Sequence, residues 1–356
     1  MASKRVLPLC LLVSFAVAQE TETQTAEDVK FRTTVNFVAA PVTVVDKNGA
    51  YVNGLEPNQF RLWDNRKEQD IKVDVSFQPI SLVVAVQSNS AVESVLPQVQ
   101  KIGGLIQPLI IGDQGQAALI AFDHRIRVVQ EFTSNADQFT DALKKIKPGS
   151  TSSRMIDAVI LATRMLRRQP RERRRVLLLV SETRDISSEG RIRDALLDLE
   201  LANVSVYTVN ISRAITTLTQ RAQPPRPNPQ LPSARPMPAG VPATPTSVAQ
   251  SDPTQGGAGN VVPLLVEIFR DVKAIFRDNP AEAFTKGTGG TEFSFVRQKG
   301  LEEAISKIGE ELHSQYMITY SPNNTDEGGF HEIVVSVIAR NAVPRTRPGY
   351  WLATVK

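Results

Sequence analysis

Two kinds of hydrophobic pattern divide the chain. Towards both ends, short apolar runs stop at turn residues, as Val42–Val45 does before Asp46–Gly49, and this pattern favours antiparallel strands. In the middle, the continuous apolar runs Leu82–Val86 and Val176–Val180 are typical of strands that are buried on both faces of a parallel sheet. Amphipathic stretches separate the central runs, so the pattern predicts an α/β centre with β structure on either side.

The central region alternates strands and helices at the spacing of a mostly parallel sheet flanked by helices. The predicted strands are Leu82–Val86, Ala117–Phe122, Ile126–Phe132, Val176–Val180, Val204–Val209 and Glu292–Phe295. The predicted helices are Ala136–Ile146, Met155–Leu166, Arg191–Leu201, Val261–Phe276 and Leu301–Leu312, and Val92–Leu109 is an amphipathic stretch that Pro97 interrupts near its start. We expect Ser152 or Ser153 to cap the helix that begins at Met155, and Gly287–Gly290 to form a turn.

The flanking strands have no sheet of their own in sequence. Before the centre, Phe60–Trp63 and Ile71–Phe77 suggest a hairpin, and after it Tyr316–Tyr320 and Ile333–Ile338 are strand-like. An isolated hairpin is only marginally stable in water. We therefore expect the N-terminal and C-terminal strands to pair in a small β-sandwich into which the central domain is inserted.

These patterns predict the following domain organisation. The segments are a signal peptide (1–18), a flexible leader (19–30), the N-terminal strands of the sandwich (31–78), the central domain (79–312) and the C-terminal strands of the sandwich (313–356). A Pro-rich disordered insertion (222–258) interrupts the central domain, and it is interpreted as a surface loop, with a spacer or peptide ligand as the alternative.

The N-terminus has the three regions of a secretory signal. Lys4 and Arg5 precede the apolar run Val6–Val17, and Ala16–Ala18 supplies small residues for cleavage. The run is too short to span a bilayer comfortably, although an uncleaved anchor is the alternative. We expect a secreted or periplasmic protein with no transmembrane segment after cleavage.

Removal of this signal changes the chemistry of the chain. The formal net charge falls from +4 to +2, because Lys4 and Arg5 are lost, and this charge alone does not indicate nucleic acid as a partner. Cys10 is the only cysteine, so the mature chain has no disulfide, thiol nucleophile or thiolate metal site.

Several separated segments together are similar to one family. They are Val42–Phe60, Ala117–Phe132, Val176–Asp185, Gly289–Gly290 with Phe293, and Gln315–Tyr320 with Gly349–Tyr350. Through them, the stretch from Ser81 to Phe295 resembles a von Willebrand factor A-type (vWA) domain, and the whole chain resembles the vWA-related proteins of Acidobacteria. The resemblance implies a Rossmann-like fold and a role in protein recognition or assembly, with a protein partner of unspecified identity and no catalysis.

The resemblance also implies where an ion would bind. Family members hold Mg²⁺ with Asp-x-Ser-x-Ser after the first core strand, a Thr in a following loop, and an Asp after the fourth strand. The corresponding residues here are Gln87, Asn89, Ala91, Ser153 and Ser181. Neutral amides and hydroxyls do not offset a divalent charge. We therefore expect a degenerate site with no metal and no cofactor, whose face contacts the partner.

Two alternatives for the site stay open at this point. A metal-dependent adhesin would use acids outside the signature, and the nearby ones are Asp123, Asp157, Glu182 and Asp185. Asp157, on the first turn of a predicted helix, is more simply explained by the helix dipole. A cryptic hydrolase would need a histidine, from His124, His313 or His331, beside a serine and an acid, and the chain has no Gly-x-Ser-x-Gly motif.

A basic run precedes the Val176–Val180 strand. Its arginines are Arg167, Arg168, Arg171, Arg173, Arg174 and Arg175. The resemblance places the run opposite the ion-site positions, at a helix end and in a loop. Such a cluster is a candidate contact for an anionic envelope surface or an acidic partner, and a solvated face is the alternative.

Overall fold

The computed structural model describes residues 37–74, 78–211, 279–295, 297–339 and 341–352. Its strands are β1 Val38–Val45, β2 Phe60–Asp64, β3 Lys67–Glu68, β4 Ile71–Asp74, β5 Ile80–Gln87, β6 Gln116–Phe122, β7 Ile126–Thr133, β8 Arg174–Ser181, β9 Val204–Ile211, β10 Glu292–Phe295, β11 Tyr316–Tyr320, β12 Gly329–Val337, β13 Val343–Arg345 and β14 Gly349–Leu352. Its α-helices are α1 Leu96–Val99, α2 Gly103–Ile106, α3 Ala136–Lys144, α4 Met155–Arg167, α5 Ile192–Leu201, α6 Pro280–Thr288 and α7 Gln298–Ser314.

The central sheet has the order β10-β9-β8-β5-β6-β7, and only its edge strand β7 is antiparallel to its neighbour. Every residue of β5 is buried, as its continuous apolar run predicts. One core lies between the sheet and the helices α1, α2, α3 and α7, and a second lies between the sheet and α4, α5 and α6. The predicted α/β class, with a mostly parallel sheet between helices, is confirmed.

The segment after β5 is less regular than its pattern predicts. Within the amphipathic stretch Val92–Leu109, α1 and α2 are joined by a 3₁₀ turn, and a π-helical turn continues over Gln107–Ile111. Pro97 and Pro108 lie in the first turns of two of these pieces. Proline has no backbone N–H and clashes with the preceding turn, so each one interrupts the helical ladder.

The flanking strands form two four-stranded antiparallel sheets with the orders β13-β1-β11-β4 and β14-β12-β2-β3. Strand β1 lies between two C-terminal strands, with Val42 opposite Tyr316 and Val44 opposite Pro344. A third core fills the space between the two sheets, and it includes Phe60 and Ile318. The prediction that the N-terminal and C-terminal strands pair in one β-sandwich is confirmed.

The hairpin predicted from β2 and the Ile71–Phe77 run is wrong. Strand β2 turns after Asp64 through Asn65 and Arg66, both at positive φ, and pairs with β3. Two consecutive residues at positive φ form the tight turn that matches the twist of a hairpin. The chain therefore reverses directly after β2, before it reaches the Ile71–Phe77 run. Strand β4 then crosses to the other sheet and pairs with β11.

Helix α6 was not predicted, since only its end, Gly287–Gly290, was interpreted as a turn. Asn279 caps the helix by accepting a hydrogen bond from the Glu282 N–H (3.2 Å), and Gly289 ends it with φ +77°. The predicted signal peptide, leader, Pro-rich insertion and Val261–Phe276 helix lie outside the described residues.

Candidate functional site

The ion-site positions of the family lie at the carboxyl ends of neighbouring strands. Gln87 ends β5 and Ser181 ends β8, next to β5 in the sheet. Asn89 follows in the β5 loop, and Ser153 lies in the loop before α4. Gln87 is only 1% exposed, and the other three are fully buried. Ala91 is half-buried in a 3₁₀ turn.

A directed chain of hydrogen bonds, which we call the amide relay, joins three loops at this site. The backbone N–H of Glu182 donates to Gln87 Oε1 (2.9 Å), Gln87 Nε2 donates to Asn89 Oδ1 (3.0 Å), and Asn89 Nδ2 donates to the carbonyl oxygen of Thr151 (3.4 Å). A backbone N–H can only donate and a carbonyl can only accept, so the two ends fix the orientation of both side-chain amides.

Main-chain hydrogen bonds hold the same loops together. Gly149 donates to the carbonyl of Ser88 (2.6 Å), Ser90 donates to the carbonyl of Ser150 (2.8 Å), and Ser88 donates to the carbonyl of Phe122 (2.8 Å). The loops after β5, before α4 and after β8 are therefore linked by direct contacts in a site that contains no charged side chain at the five signature positions.

The two serines of the site contribute neutral oxygens. The hydroxyls of Ser153 and Ser181 have no hydrogen-bond partner among the described residues, and both are fully buried. A divalent cation placed here would meet hydroxyl and amide oxygens without a carboxylate to offset its charge. The signature positions therefore supply only neutral groups, and within the described part of the chain two of these, both hydroxyls, are unsatisfied.

The loop after β8 folds against the start of α4. The carbonyl of Ser153 accepts from the N–H groups of Ile186 (3.0 Å) and Ser187 (3.1 Å). Asp185 Oδ1 accepts from the N–H groups of Met155 (2.7 Å) and Ile156 (3.3 Å), which are free donors in the first turn of a helix.

The predicted capping of α4 by Ser152 or Ser153 is therefore wrong. Arg154 occupies the N-cap position, but its side chain makes no capping hydrogen bond. Asp185, about thirty residues further along the chain, accepts from the first N–H groups of the helix instead. A sequence pattern identifies caps only among adjacent residues, whereas this cap depends on how the β8 loop returns to the sheet.

Two further acids near the site bind backbone groups as well. Asp157 accepts from the N–H groups of Glu189 (3.0 Å) and Gly190 (2.8 Å), and Asp123 accepts from those of Arg125 (2.7 Å) and Ser150 (3.1 Å). Burial alone would raise the pKa of both carboxyl groups, but these hydrogen bonds outweigh it and lower each pKa.

The lowered pKa values keep Asp123 and Asp157 ionised, and both carboxylates hold loops through these hydrogen bonds. Glu182, the fourth alternative acid, is half-buried. Over the described ranges of the chain, no group of three or more His, Cys, Asp or Glu side chains is placed to hold a metal ion.

Two of the three candidate histidines, His124 and His331, have contacts that differ from those of a serine hydrolase. His124 lies beside Asp123, with 3.3 Å between Nδ1 and Oδ1, but the nearby Ser150 hydroxyl accepts from the backbone N–H of His124 rather than binding its ring. His331 is fully buried in the sandwich, where Nδ1 lies 2.6 Å from Asp64 Oδ1. A hydrolase triad needs the serine on the histidine ring, so neither histidine matches.

The buried Asp64–His331 pair was missed in the sequence. Tyr320 and Tyr350 donate their hydroxyls to Asp64 Oδ2 at 2.9 and 2.7 Å, so the carboxylate joins four strands of the sandwich. The signal was present: Asp64 and His331 occupy the inward positions of strands whose other inward residues, such as Leu62 and Ile333, are apolar.

The arginine run is only partly available to a partner. Arg174 and Arg175 were predicted to lie in a loop, but both belong to β8. The guanidinium of Arg174 donates to Leu312 and Gln315. That of Arg175 donates to Ala202 and Gln169. Arg167 pairs with Asp198 (3.1 Å), and Arg173 donates to the carbonyl of Gln114 (2.9 Å). Arg168 and Arg171 are exposed.

Comparisons with known proteins agree with this fold. Residues 87–183 match the family model described as von Willebrand factor type A domain, a segment that contains the whole amide relay. No curated protein matches the sequence. The acidobacterial subgroup stays a prediction.

Three bacterial proteins are among the solved structures that the comparison matched. An aerotolerance-related membrane protein from Bacteroides fragilis NCTC 9343 is 15% identical (TM-score 0.38; 65% of this chain and 98% of that chain covered). The hypothetical protein BatB from Bacteroides thetaiotaomicron is also 15% identical (TM-score 0.36; 65% and 99%). The vWF domain of the type V pili tip protein Mfa5 from Porphyromonas gingivalis is 14% identical (TM-score 0.27; 30% and 38%).

Proposed function

Since the chain contains a von Willebrand factor A domain, we propose that it is an exported, non-enzymatic protein-interaction module that folds and binds its partner without a divalent ion. The observation that carries this proposal is the amide relay. Gln87 and Asn89 stand at positions where the family supplies an acid and a hydroxyl, and their amides link loops directly. The proposed partner is a protein that contacts the loops at this end of the sheet.

The rival metal-dependent adhesin would need the non-signature acids to release their present partners. Asp123, Asp157 and Asp185 each accept at least two backbone N–H groups, and a bound cation would have to replace those hydrogen bonds. Mg²⁺ also gives up its own water reluctantly. These costs favour the metal-free module.

Calorimetric titration of the exported chain with Mg²⁺ and with Mn²⁺ tests the proposal. We expect no saturable heat, and no change in melting temperature with either ion or with EDTA, because a ligand stabilises a protein only by binding its native state. A variant combining Gln87→Asp, Asn89→Ser, Ala91→Ser and Ser181→Asp is the positive control, and it should gain Mg²⁺-dependent stabilisation. Saturable micromolar binding by the parent chain would refute the metal-free site.

We also propose export through residues 1–18 and a weak contact of the exposed arginines with an anionic envelope surface. Among the described helices, none is long and apolar enough to cross a membrane. Arg168→Ser with Arg171→Ser should reduce pelleting with anionic vesicles, by about 1 kcal/mol per arginine, and added salt should reduce it further. Arg125→Ser with Arg184→Ser, at the opposite end of the sheet, is the matched control. Equal loss in both variants would contradict a localised patch.

A further inference from the structure

One face of the β-sandwich points away from its core. It is the outer face of the sheet β14-β12-β2-β3, where every second residue of β12 points outward. The inward residues His331 and Ile333 are buried, whereas Val334 is 49% exposed. Ile338, directly after the strand and in the same alternation, is 63% exposed. Large apolar side chains of this face are thus exposed to solvent.

Both tryptophans of the chain lie on this face. Trp63 is the cross-strand partner of Val334, and Trp351 is the partner of Phe330, with 5.6 Å between the ring centroids of Phe330 and Trp351. All three aromatic side chains are half-buried. Together with Val334 and Ile338 they form an apolar stripe along β12, which we call the β12 stripe, with Glu332 and Ser336 at the outward positions between its members.

The charges beside the β12 stripe are placed symmetrically about Val334. Glu332 points outward two residues before Val334, and Arg61 is the cross-strand partner of Ser336, two residues after it. At about 3.4 Å per residue, the acid and the base lie roughly 7 Å on either side of Val334 along the strand. Arg61 Nε lies 3.5 Å from Glu68 Oε1 in an exposed ion pair. Among the described residues, the Glu332 side chain makes no hydrogen bond or ion pair.

The apolar residues repeat the same symmetry. Phe330 lies four residues before Val334, and Ile338 lies four residues after it. A two-fold axis between two such faces, perpendicular to β12 at Val334, reverses the strand direction. It therefore sets Phe330 over Ile338, Val334 over Val334, and Glu332 beside Arg61 of the other copy. A face that complements itself in this way meets the requirement of an isologous dimer contact.

We propose that the β12 stripe is the contact through which two copies of this chain form a two-fold symmetric dimer. The stripe is two to three strands wide and about 30 Å long, which corresponds to roughly 400 Å² per copy. The roughly 800 Å² that two copies would bury in total is below the roughly 1,200–2,000 Å² of a stable interface, so we expect a weak, reversible dimer.

Sedimentation equilibrium of the exported chain tests the dimer. We expect a monomer–dimer equilibrium between about 5 and 200 μM. Val334→Glu places two carboxylates on the axis and should raise the dissociation constant at least tenfold. Val128→Glu is the matched control, because Val128 is a 37% exposed valine on the edge strand β7, and it should leave the dissociation constant unchanged. A parent chain that is monomeric at about 200 μM overturns the proposal, as does a dimer that Val334→Glu leaves intact.

Charge reversal tests the two-fold register. Glu332→Arg alone and Arg61→Glu alone each bring like charges together twice per dimer, and each should weaken the dimer about tenfold. The double variant restores opposite charges and should return the dissociation constant to within about threefold of the parent value. Thermal unfolding of each variant, at a melting temperature close to that of the parent, shows that the fold is intact. Two weakened single variants without recovery in the double variant would overturn this arrangement.

Discussion

Replacing Gln87 removes the middle of the amide relay, and the loss can be worked from the contacts. Gln87→Ala deletes two hydrogen bonds and leaves the Glu182 N–H and Asn89 Oδ1 without partners in a site where Gln87 itself is 1% exposed. Each buried group left unsatisfied costs about 1–3 kcal/mol. We therefore expect the free energy of unfolding to fall by roughly 3 kcal/mol. Urea denaturation measures it, with Gln130→Ala on the edge strand β7 as the control that changes little.

Gln87→Glu tests the direction of the relay. The glutamate keeps an acceptor for the Glu182 N–H but sets an ionised oxygen against Asn89 Oδ1. Protonation restores a donor towards Asn89, so the pKa of this glutamate is raised in the folded state. The destabilisation should thus be small near pH 4 and should grow as the pH rises towards 7. The reasoning is refuted if Gln87→Ala costs less than about 1 kcal/mol, or if the Gln87→Glu loss, relative to the parent at each pH, is the same at both pH values.

Three further outcomes are expected. Asp185→Ala removes the cap of α4 and should lower the free energy of unfolding by about 1–2 kcal/mol in urea, whereas Asp137→Ala, on the exposed first turn of α3, should change it by less than about 0.5 kcal/mol. Burial raises the pKa of Glu200 from 4.5 to about 7 despite the nearby Arg347, so the folded state holds its proton longer than the unfolded chain. Stability should then fall as the pH rises from about 4.5 to 7, and Glu200→Gln should flatten that slope in pH-dependent melts; an unchanged slope would assign the effect to other groups. Deleting residues 315–356 should unpair β1 and β2 and make residues 37–74 sensitive to protease, and continued protection there would contradict the pairing.

The sequence predicted best where one residue pattern has one structural meaning. The runs within β5 and β8 are apolar throughout, which only a strand covered on both faces explains at that length. The sandwich followed from a simple requirement, since unpaired strands at both ends of the chain need partners. Those predictions depended on composition along one segment or on the need to satisfy backbone groups.

The other features depended on contacts between distant segments. The cap of α4 comes from Asp185, and the partner of His331 is Asp64, on a strand 267 residues earlier. Arg174 and Arg175 look like a solvated basic run, but β8 extends further than its apolar residues and takes both of them into the protein. The ion-site positions followed from family resemblance, whereas the amide relay requires the relative placement of three loops.

Arg174 gives the inserted α/β block a property that concerns how the chain folds during synthesis. It is in register with Ile80 at the start of the block, and its guanidinium binds Leu312 and Gln315 at the end of the block. Strand β1 emerges first but pairs with residues such as Tyr316, so it has no partner until nearly the whole chain is made. A block that folds early brings its two ends together. It therefore removes most of the entropy cost of loop closure that would otherwise oppose the late pairing. The sandwich should therefore assemble last, at a rate limited by completion of the block, and mutations at Arg174 should slow that final step more than they slow the folding of the central sheet.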